Sequence, residues 1–337
     1  MASNVAVDVL CEDALQIPVD VLALKYAQAL YGVDAVVARK LTASGRRILF
    51  PKPWRFSLEQ GAPDVAASQI LFVGVPPLRE FGYRDIRTFA RTALSSLVGD
   101  APGTKHLGLT VHGPGYGLDE IEAFEAEIAG LVDAVRAGDT PEALRRITVV
   151  EQNEGRARRL KVLLADLLPG GTIEIVRGRL AQEGEERTER LRAAGYASEA
   201  KVHVFVAMPF KEEMDDVYHY GIQGAVRSAG FLCERADLSS FTGDVLEWVR
   251  ARIKRAALVI ADLTEANPNV YLEVGFAWGC GVPTILLTRD TQQLPFDVRS
   301  QRCLPYKKIQ DVEKLLGKEL RALGLGDDRT PDVRKGP

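Results

Sequence analysis

The chain has 337 residues, of which 46% are hydrophobic, and its formal net charge is −3. That length and apolar content suit a soluble globular protein with two ordinary domains. The small net charge gives no general electrostatic reason to bind nucleic acid or an anionic membrane, so neither is an expected partner. No apolar run reaches the ~20 residues of a membrane span, and the N-terminus lacks the order of a signal peptide, so we expect a cytoplasmic protein.

The four cysteines give no sign of a metal site. Cys11, Cys233, Cys280 and Cys303 are widely spaced, and no two of them lie at metal-ligand spacing. The sequence therefore predicts neither a zinc site nor a disulfide framework, and it indicates no cofactor. We interpret the cysteines as ordinary buried thiols.

Dense mixed charge with little apolar periodicity separates two parts of the chain. We predict residues 1–170 as one domain, residues 171–200 as an exposed and partly helical charged connector, and residues 201–325 as a second domain. Residues 326–337 have too little apolar surface to fold, so we expect a disordered tail there.

Short apolar runs alternate with helical patterns in the first part. The runs cover residues 5–10, 19–24, 70–75, 107–111 and 147–150, and the helical patterns cover residues 33–41, 86–97, 121–135 and 156–168. Strands that alternate with helices indicate a three-layer α/β domain.

The alternation restarts after the connector. The predicted strands cover residues 202–207, 231–234, 258–262, 282–288 and 302–306, and the predicted helices cover residues 215–229, 244–255 and a segment from residue 270. Five short strands joined by helices predict a parallel five-stranded sheet of the flavodoxin type. We thus expect two three-layer α/β domains.

Polar and aromatic side chains follow the predicted strands of the second domain. Because open α/β sheets bind ligands beyond the carboxyl ends of their strands, these side chains predict a pocket. Phe205 and Phe210 could stack on a flat ring, and the carboxylates, hydroxyls and carboxamides of the loops suit a sugar. The predicted substrate-binding residues are Phe205, Met208, Pro209, Phe210, Asp237, Asn267 and Asn269.

A glutamate lies inside an otherwise apolar helical segment just after the third of these strands. Residues 267–279 read Asn-Pro-Asn-Val-Tyr-Leu-Glu-Val-Gly-Phe-Ala-Trp-Gly, which places Glu273 about one turn into the helix. A solvated helix glutamate is the alternative, and its apolar neighbours disfavour it. A carboxylate in a water-poor pocket stabilises a cationic sugar, which suits cleavage of an N-glycosidic bond. Asp262, which ends the strand, could equally serve as an acceptor for the following loop.

Four segments of the second domain carry a family resemblance. They are Val204-Phe-Val-Ala-Met-Pro-Phe210, Leu258-Val-Ile-Ala-Asp-Leu-Thr264, Asn267-Pro-Asn-Val-Tyr-Leu-Glu-Val-Gly275 and Leu294-Pro-Phe-Asp-Val-Arg299. Residues 201–323 resemble the nucleoside 2-deoxyribosyltransferase-like superfamily, which is close in fold to bacterial TIR-like domains.

The resemblance implies roles for three residues. It makes Glu273 the nucleophile or the stabiliser of an oxocarbenium-like sugar, lets Asp262 orient or protonate the base, and places Phe205 near the sugar. True transferases carry an acid six positions before the glutamate, whereas this chain has Asn267 there. That difference favours hydrolysis of NAD or a nucleotide over base exchange.

Two glycine-bearing segments of the first domain resemble a macro domain, the ADP-ribose-binding fold that also forms the N-terminal part of leucine aminopeptidases. The resemblance spans about residues 3–170, with Gly113-Pro-Gly-Tyr-Gly117 as the diphosphate loop and Gly32-Val-Asp34 as the end of the first ligand loop. Backbone N–H groups of such a glycine loop could close on a phosphate, although a tight strand-to-helix turn is the alternative. The expected ligand-binding residues are Gly32, Asp34, Gly113, Gly115, Tyr116 and Gly117.

The macro-like segments also depart from active ADP-ribosyl hydrolases. Lys25, Tyr26 and Gln28 stand in the region where those enzymes carry an asparagine pair. We therefore expect the first domain to bind a ligand rather than to catalyse.

Together the resemblances imply an effector whose macro-like domain senses an ADP-ribose-like or cyclic nucleotide ligand and whose second domain cleaves NAD or a free nucleotide. Fusions of this type often serve antiphage defence. Two alternatives stay open: deoxyribosyl transfer or hydrolysis in nucleotide salvage, and a non-catalytic protein that binds nucleotide signals and assembles with partners. The sequence leaves the oligomeric state open, a homo-oligomer included.

Overall fold

The computed structural model describes residues 4–173, 185–235, 244–299 and 301–323. The chain forms two compact units, Met1–Ala200 and Lys201–Pro337. Among the helices in the described ranges, none has the length and apolar content needed to cross a membrane. Asp237, residues 174–184 of the predicted connector and the predicted tail lie outside the described residues.

A seven-stranded mixed sheet lies at the centre of the first unit. Its order in space is β3-β4-β2-β5-β6-β1-β7, with the edge strands β3 and β7 antiparallel to their neighbours and the others parallel. Most of β2 is buried, as expected for a central strand covered on both faces. The strands are β1 (Val5–Cys11), β2 (Val21–Tyr26), β3 (Phe56–Gln60), β4 (Gln69–Gly74), β5 (His106–Thr110), β6 (Arg146–Glu151) and β7 (Thr172–Ile173).

The helices of the first unit include two long ones that pack tightly together. The elements are α1 (Gly32–Ala43), α2 (Tyr83–Asp100), α3 (Glu120–Ala137), α4 (Glu154–Leu167), α5 (Glu185–Ala193) and α6 (Tyr196–Ala200). A Cβ atom on Gly130 of α3 would lie 2.2 Å from the backbone oxygen of Arg87 on α2. Glycine at this position therefore permits the close approach of α2 and α3.

The second half of the predicted connector is buried in part, whereas the sequence indicated an exposed segment. Arg87 Nη1 donates to the backbone oxygens of Leu191, Arg192 and Ala194 at 2.9, 2.9 and 2.6 Å, and its Nε donates to Asp133 at 2.7 Å. Leu191 and Ala194 are buried. Because one arginine on α2 binds the last carbonyl groups of α5, this charged segment packs as part of the first unit.

The second unit contains a five-stranded parallel sheet. Its strands are β8 (His203–Ala207), β9 (Leu232–Glu234), β10 (Leu258–Asp262), β11 (Thr284–Thr288) and β12 (Cys303–Pro305). The order in space is β12-β11-β10-β8-β9, so the first strand lies between the second and the third. This is the doubly wound order of flavodoxin, and the predicted fold class is confirmed for both units.

Helices cover both faces of the second sheet. They are α7 (Glu212–Asp216), a π-helical stretch (Val217–Gln223), α8 (Gly224–Ser228), α9 (Asp244–Arg255), α10 (Pro268–Gly279), α11 (Phe296–Arg299) and α12 (Ile309–Ala322). Along β8 and the residue that follows it, Val204, Val206 and Met208 contact one apolar core, and Phe205 and Ala207 contact the other. This alternation follows from the two-residue period of a strand.

Several local predictions differ from the structure. The edge strand β3, which begins at Phe56, was not among the predicted strands, and the helix predicted from residue 215 begins at Glu212. Cys11 and Cys280 are exposed and Cys303 is partly exposed, so of the four thiols only Cys233 is buried as expected. β3 is short and half-exposed, and it therefore lacks the continuous apolar run that identified the central strands.

Candidate functional site

The sheet order of the second unit places a topological switch point between the carboxyl ends of β8 and β10, and the crevice that open α/β folds form there is the expected ligand site. These strands are neighbours in the sheet, but the helices that follow them cover opposite faces. Such a switch point leaves a gap at the sheet edge, where open α/β folds bind ligands. Met208 follows β8 at this edge and Asp262 ends β10 there.

Asp262 is fully buried, and both of its carboxylate oxygens have partners. Oδ1 accepts from the backbone N–H of Thr264 at 2.9 Å, and Oδ2 accepts from the hydroxyl of Tyr306 at 2.7 Å. Burial raises the pKa of Asp262, although these hydrogen bonds oppose the rise, and burial raises the pKa of Tyr306 to about 12. The carboxylate thus fixes the loop after β10 and joins it to the segment after β12, as the loop-acceptor interpretation expected.

Glu273 has a different environment. Its side chain is half-buried on α10, and within the described ranges no hydrogen bond or ion pair reaches its carboxylate. Burial alone raises the pKa of Glu273 to about 8. A partly buried carboxyl group without a charge partner is a feature of catalytic sites, because structural carboxylates are normally paired.

Strained backbone joins Asp262 to the helix that carries Glu273. Glu265 and Ala266 have φ values of 72° and 49°, in the left-handed region that few residues other than glycine adopt. Glu265 also forms a 2.7 Å ion pair with Lys211, which follows β8. The two loops that border the crevice are therefore joined by an ion pair across it, and strain of this kind clusters at ligand sites.

The predicted aromatic residues occupy different environments. Phe205 is 1% exposed and lies in the apolar core that includes Val270 and Val274 of α10, so its ring cannot stack on a ligand as expected. Met208 and Pro209 are buried at the edge of the crevice. Phe210 is half-buried, and it is the aromatic side chain of this loop that remains accessible for stacking.

Asn267 begins α10 as its N-cap. Its side-chain oxygen accepts from the backbone N–H of Asn269 at 2.9 Å, and Pro268 follows in the first turn, where proline is favoured. Asn269 is exposed. Asn267 therefore fixes the start of α10, and Glu273 lies between one and two turns further along the same helix.

In the first unit, the two predicted ligand segments meet at the carboxyl ends of β2 and β5. Lys25 Nζ lies 3.0 Å from Asp34 Oδ2 and 3.3 Å from the hydroxyl of Tyr116. Lys25 and Asp34 are buried, and Tyr116 is partly exposed. Burial lowers the pKa of Lys25, but Asp34 and Tyr116 more than offset this and hold it above its usual range. Gly32 begins α1 beside them, with 3.8 Å between its Cβ position and the Tyr116 hydroxyl.

The glycine loop does not present the anion-binding backbone that the sequence indicated. The N–H groups of Tyr116 and Gly117 donate to the backbone oxygens of Gly113 and Pro114, within a short 3₁₀ turn. The first turn of α3 is capped by the side chain of Asp119, whose negative charge occupies the helix N-terminus. Gly113 and Gly117 have φ values of 106° and 94°, as the tight-turn alternative requires.

Gly115 differs from the other glycines of this loop because it is exposed, and no atom lies within 4 Å of its Cβ position. A ligand of the first unit would therefore meet Gly115 and Tyr116 as surface groups, with Lys25 as the buried cation behind them. In the sequence, Lys25 is recognisable only as a departure from the macro pattern.

Two buried polar groups of the first unit were also missed. His112 Nδ1 lies 3.6 Å from Glu127 Oε1, and His112 Nε2 and both Glu127 oxygens have no hydrogen-bond partner in the described part of the chain. Burial raises the pKa of Glu127 and lowers that of His112, which favours a neutral pair. Glu127 lies within an apolar helical pattern, and no signal in the sequence distinguishes it from a solvated glutamate.

The fold and its polar groups define a two-unit α/β protein with a carboxylate beside a switch-point crevice. No family profile and no curated protein matches the sequence.

Solved structures show distant likeness to the chain. The CMP N-glycosidase of Clostridium botulinum is 20% identical over 35% of this chain and 99% of its own, with a TM-score of 0.31. The macrodomain of Trypanosoma brucei in complex with ADP-ribose is 17% identical over 47% of this chain and 69% of its own, with a TM-score of 0.40. The macrodomain of Oceanobacillus iheyensis with ADP is 13% identical over 50% of this chain and 99% of its own, with a TM-score of 0.38.

Proposed function

We propose that the second unit hydrolyses the N-glycosidic bond of NAD or a free nucleotide, with Glu273 as its catalytic carboxylate. The observation that carries the proposal is the half-buried, unpaired Glu273 on the helix that follows the crevice strand β10, with a pKa raised to about 8. The resemblance of residues 201–323 to nucleoside 2-deoxyribosyltransferase-like proteins supports the same role.

The chemistry requires stabilisation of positive charge on the sugar. As the bond from C1′ to the base nitrogen breaks, its electron pair leaves with the base and the sugar becomes cationic. Above its pKa, ionised Glu273 would either stabilise that cation or bond to C1′. Water would then supply the hydroxyl group at C1′ and release its other proton to solvent. Nicotinamide leaves NAD as a neutral base without a proton, so NAD hydrolysis needs no general acid.

Asp262 contributes in this proposal by position. Its two hydrogen bonds fix the loop that precedes α10, the helix that carries Glu273. A carboxylate this fully bonded is poorly placed to transfer a proton to a base. We therefore assign Asp262 a positioning role, in place of the base protonation that the resemblance implied.

The first unit is proposed to bind an ADP-ribose-type ligand that regulates the second. The meeting of Lys25, Asp34 and Tyr116 beside the exposed Gly115 supports this. Such a ligand would place a phosphate near the Lys25 ammonium, and this contact would replace part of its pairing with Asp34.

Chromatography of released bases tests the proposed function. The full chain is incubated with NAD, the common nucleosides and their mono- and triphosphates, each with and without ADP-ribose. We expect base release from NAD or from at least one nucleotide, with a rate that changes when ADP-ribose is present. Absence of base release from every substrate in both conditions would contradict the proposal and favour a protein that only binds nucleotides.

A further inference from the structure

One arginine of the second unit, Arg235, lies beside the crevice. Arg235 follows β9, and the register pairs Glu234 with Phe205, so successive side chains of β9 face opposite sides of the sheet. Glu234 faces Arg252 of α9, whereas Arg235 faces Tyr218 and Met208. Arg235 thus reaches the carboxyl edge of the sheet beside the loop that borders the crevice.

Two aromatic rings hold the Arg235 guanidinium. Its central carbon lies 4.1 Å from the ring centroid of Tyr218 and 5.0 Å from that of Phe210. The arginine side chain is 13% exposed. Contacts with two aromatic faces fix the plane of a guanidinium and leave its N–H groups directed outward from the ring edges.

The protein uses only part of the hydrogen-bonding capacity of this guanidinium. Nη2 donates to Asp215 at 3.0 Å, and Nη1 lies 3.7 Å from the sulfur of Met208, which is a weak acceptor. Nε forms no hydrogen bond to a residue in the described ranges. The carboxylate of Asp215 is 40% exposed, so solvent screens much of its charge. An anion with two oxygens can therefore bind the remaining N–H groups.

We infer that Arg235 binds the phosphate of the substrate, so that the second unit acts on phosphorylated nucleotides and discriminates against nucleosides. This inference rests on the proposed function and adds to it the residue that recognises the phosphate. A ligand beyond the strand ends contacts both faces of the sheet, with its sugar toward Glu273 and its phosphate toward Arg235. Phe210, which packs on Arg235, then forms the wall between these two contacts.

The kinetic test compares each common ribonucleoside with its 5′-monophosphate, and NAD, in the full chain. In Arg235→Gln we expect KM for the phosphorylated substrate to rise by about 10- to 100-fold, the range for hydrogen bonds to charged groups, with little change in kcat. Cleavage of the nucleoside stays unchanged, and Arg235→Lys retains part of the preference because it keeps the charge. A loss that is equal for nucleoside and nucleotide would overturn the inference.

A binding measurement separates this inference from the proposed function. Calorimetry of Glu273→Gln with the nucleoside monophosphates needs no turnover, and adding Arg235→Gln should weaken binding by about 10-fold or more. Weaker binding in the Arg235→Gln protein, without base release from the unmodified chain, would support phosphate binding by Arg235 and contradict the proposed N-glycosidase activity. Equal affinity in both proteins would overturn the role of Arg235 even if bases are released.

The matched control is Arg302→Gln. Arg302 is an exposed arginine of the same unit, paired with Glu319 next to the amino end of β12. Circular dichroism and thermal melts verify that each variant folds. We expect Arg302→Gln to leave both KM and affinity unchanged, and an effect equal to that of Arg235→Gln would contradict a specific phosphate contact.

Discussion

Replacement of Glu273 by glutamine should stabilise the protein, and only above the pH at which the unfolded glutamate ionises. The pKa of Glu273 rises from 4.5 to about 8 through burial. Below pH 4.5 both states hold the proton, so the wild-type residue carries no penalty. As the pH rises toward 8, the unfolded chain loses the proton while the folded chain retains it, and stability falls.

The magnitude follows from the size of the rise. An increase of about 3.5 in pKa corresponds to an upper limit of about 5 kcal/mol in the free energy of unfolding. Glu273 is partly exposed, so solvent reduces the penalty, and we expect about 2 kcal/mol. Glu273→Gln should therefore match the wild type near pH 4.5 and exceed it by about 2 kcal/mol at pH 9.

Urea denaturation at pH 5, 7 and 9, followed by tryptophan fluorescence, measures this difference. Trp248 lies on α9 and Trp278 on α10, so both report on the second unit. Glu313→Gln, which removes an exposed glutamate of α12, is the control and should show no pH-dependent gain. A difference between Glu273→Gln and wild type that stays constant from pH 5 to pH 9 would refute the reasoning.

Three further predictions concern buried hydrogen bonds and ion pairs inside each unit. Tyr306→Phe leaves one oxygen of the buried Asp262 without its donor and should cost about 1–3 kcal/mol in denaturant unfolding. Arg87→Met removes the contacts to the carbonyls of α5 and should make residues 185–200 susceptible to limited proteolysis, with a loss of about 3 kcal/mol or more. Lys25→Met leaves Asp34 buried and unpaired and should cost about 3–5 kcal/mol, whereas Lys25→Met with Asp34→Leu should recover most of it.

Exposed residues of the same types provide controls. Tyr220→Phe changes a tyrosine that is 63% exposed, and Arg91→Met changes an arginine of α2 that is 55% exposed; both should be nearly neutral. A Tyr306→Phe variant as stable as Tyr220→Phe, or an Arg87→Met variant that resists proteolysis, would argue against these assignments. Equal losses in the single Lys25 variant and the double variant would show that charge burial is not the cause.

The sequence predicted the central strands and the helix of Glu273 because these elements carry strong patterns. A short run of branched apolar residues ending in Asp262 is typical of a strand buried on both faces, and the Asn267-Pro268 pair begins a helix by its capping chemistry. The carboxyl ends of parallel strands must share one edge of the sheet. The position of the crevice followed from that rule.

Contacts between distant segments could not be predicted in the same way. Tyr306 lies 44 residues from Asp262, and Arg87 lies 107 residues from Ala194. No local periodicity reports such pairs, because they depend on which strands become neighbours. The prediction of which side chains are buried failed for the same reason. Phe205 was expected to face a ligand, yet its ring packs in the apolar core with residues of α10.

The glycine loop illustrates a different limit. Glycines permit positive φ values, but whether the freed N–H groups bind an anion or one another depends on the turn that forms. Here the turn is a 3₁₀ helix that uses its own carbonyls, and Asp119 caps the helix that follows. The alternative of a tight turn described this backbone, and the expected ligand residues Gly32, Asp34 and Tyr116 are nevertheless brought together by the folded chain.

The rate of base release by wild type and by Glu273→Gln, on the best substrate of the nucleotide panel, measures the catalytic role of Glu273 most directly. We expect a loss of about 100-fold or more in kcat for Glu273→Gln, because the stabilising charge disappears while the shape of the side chain is kept. The thermal shift caused by the substrate should persist in the variant. Turnover that survives in Glu273→Gln would contradict the assignment of Glu273 as the catalytic carboxylate.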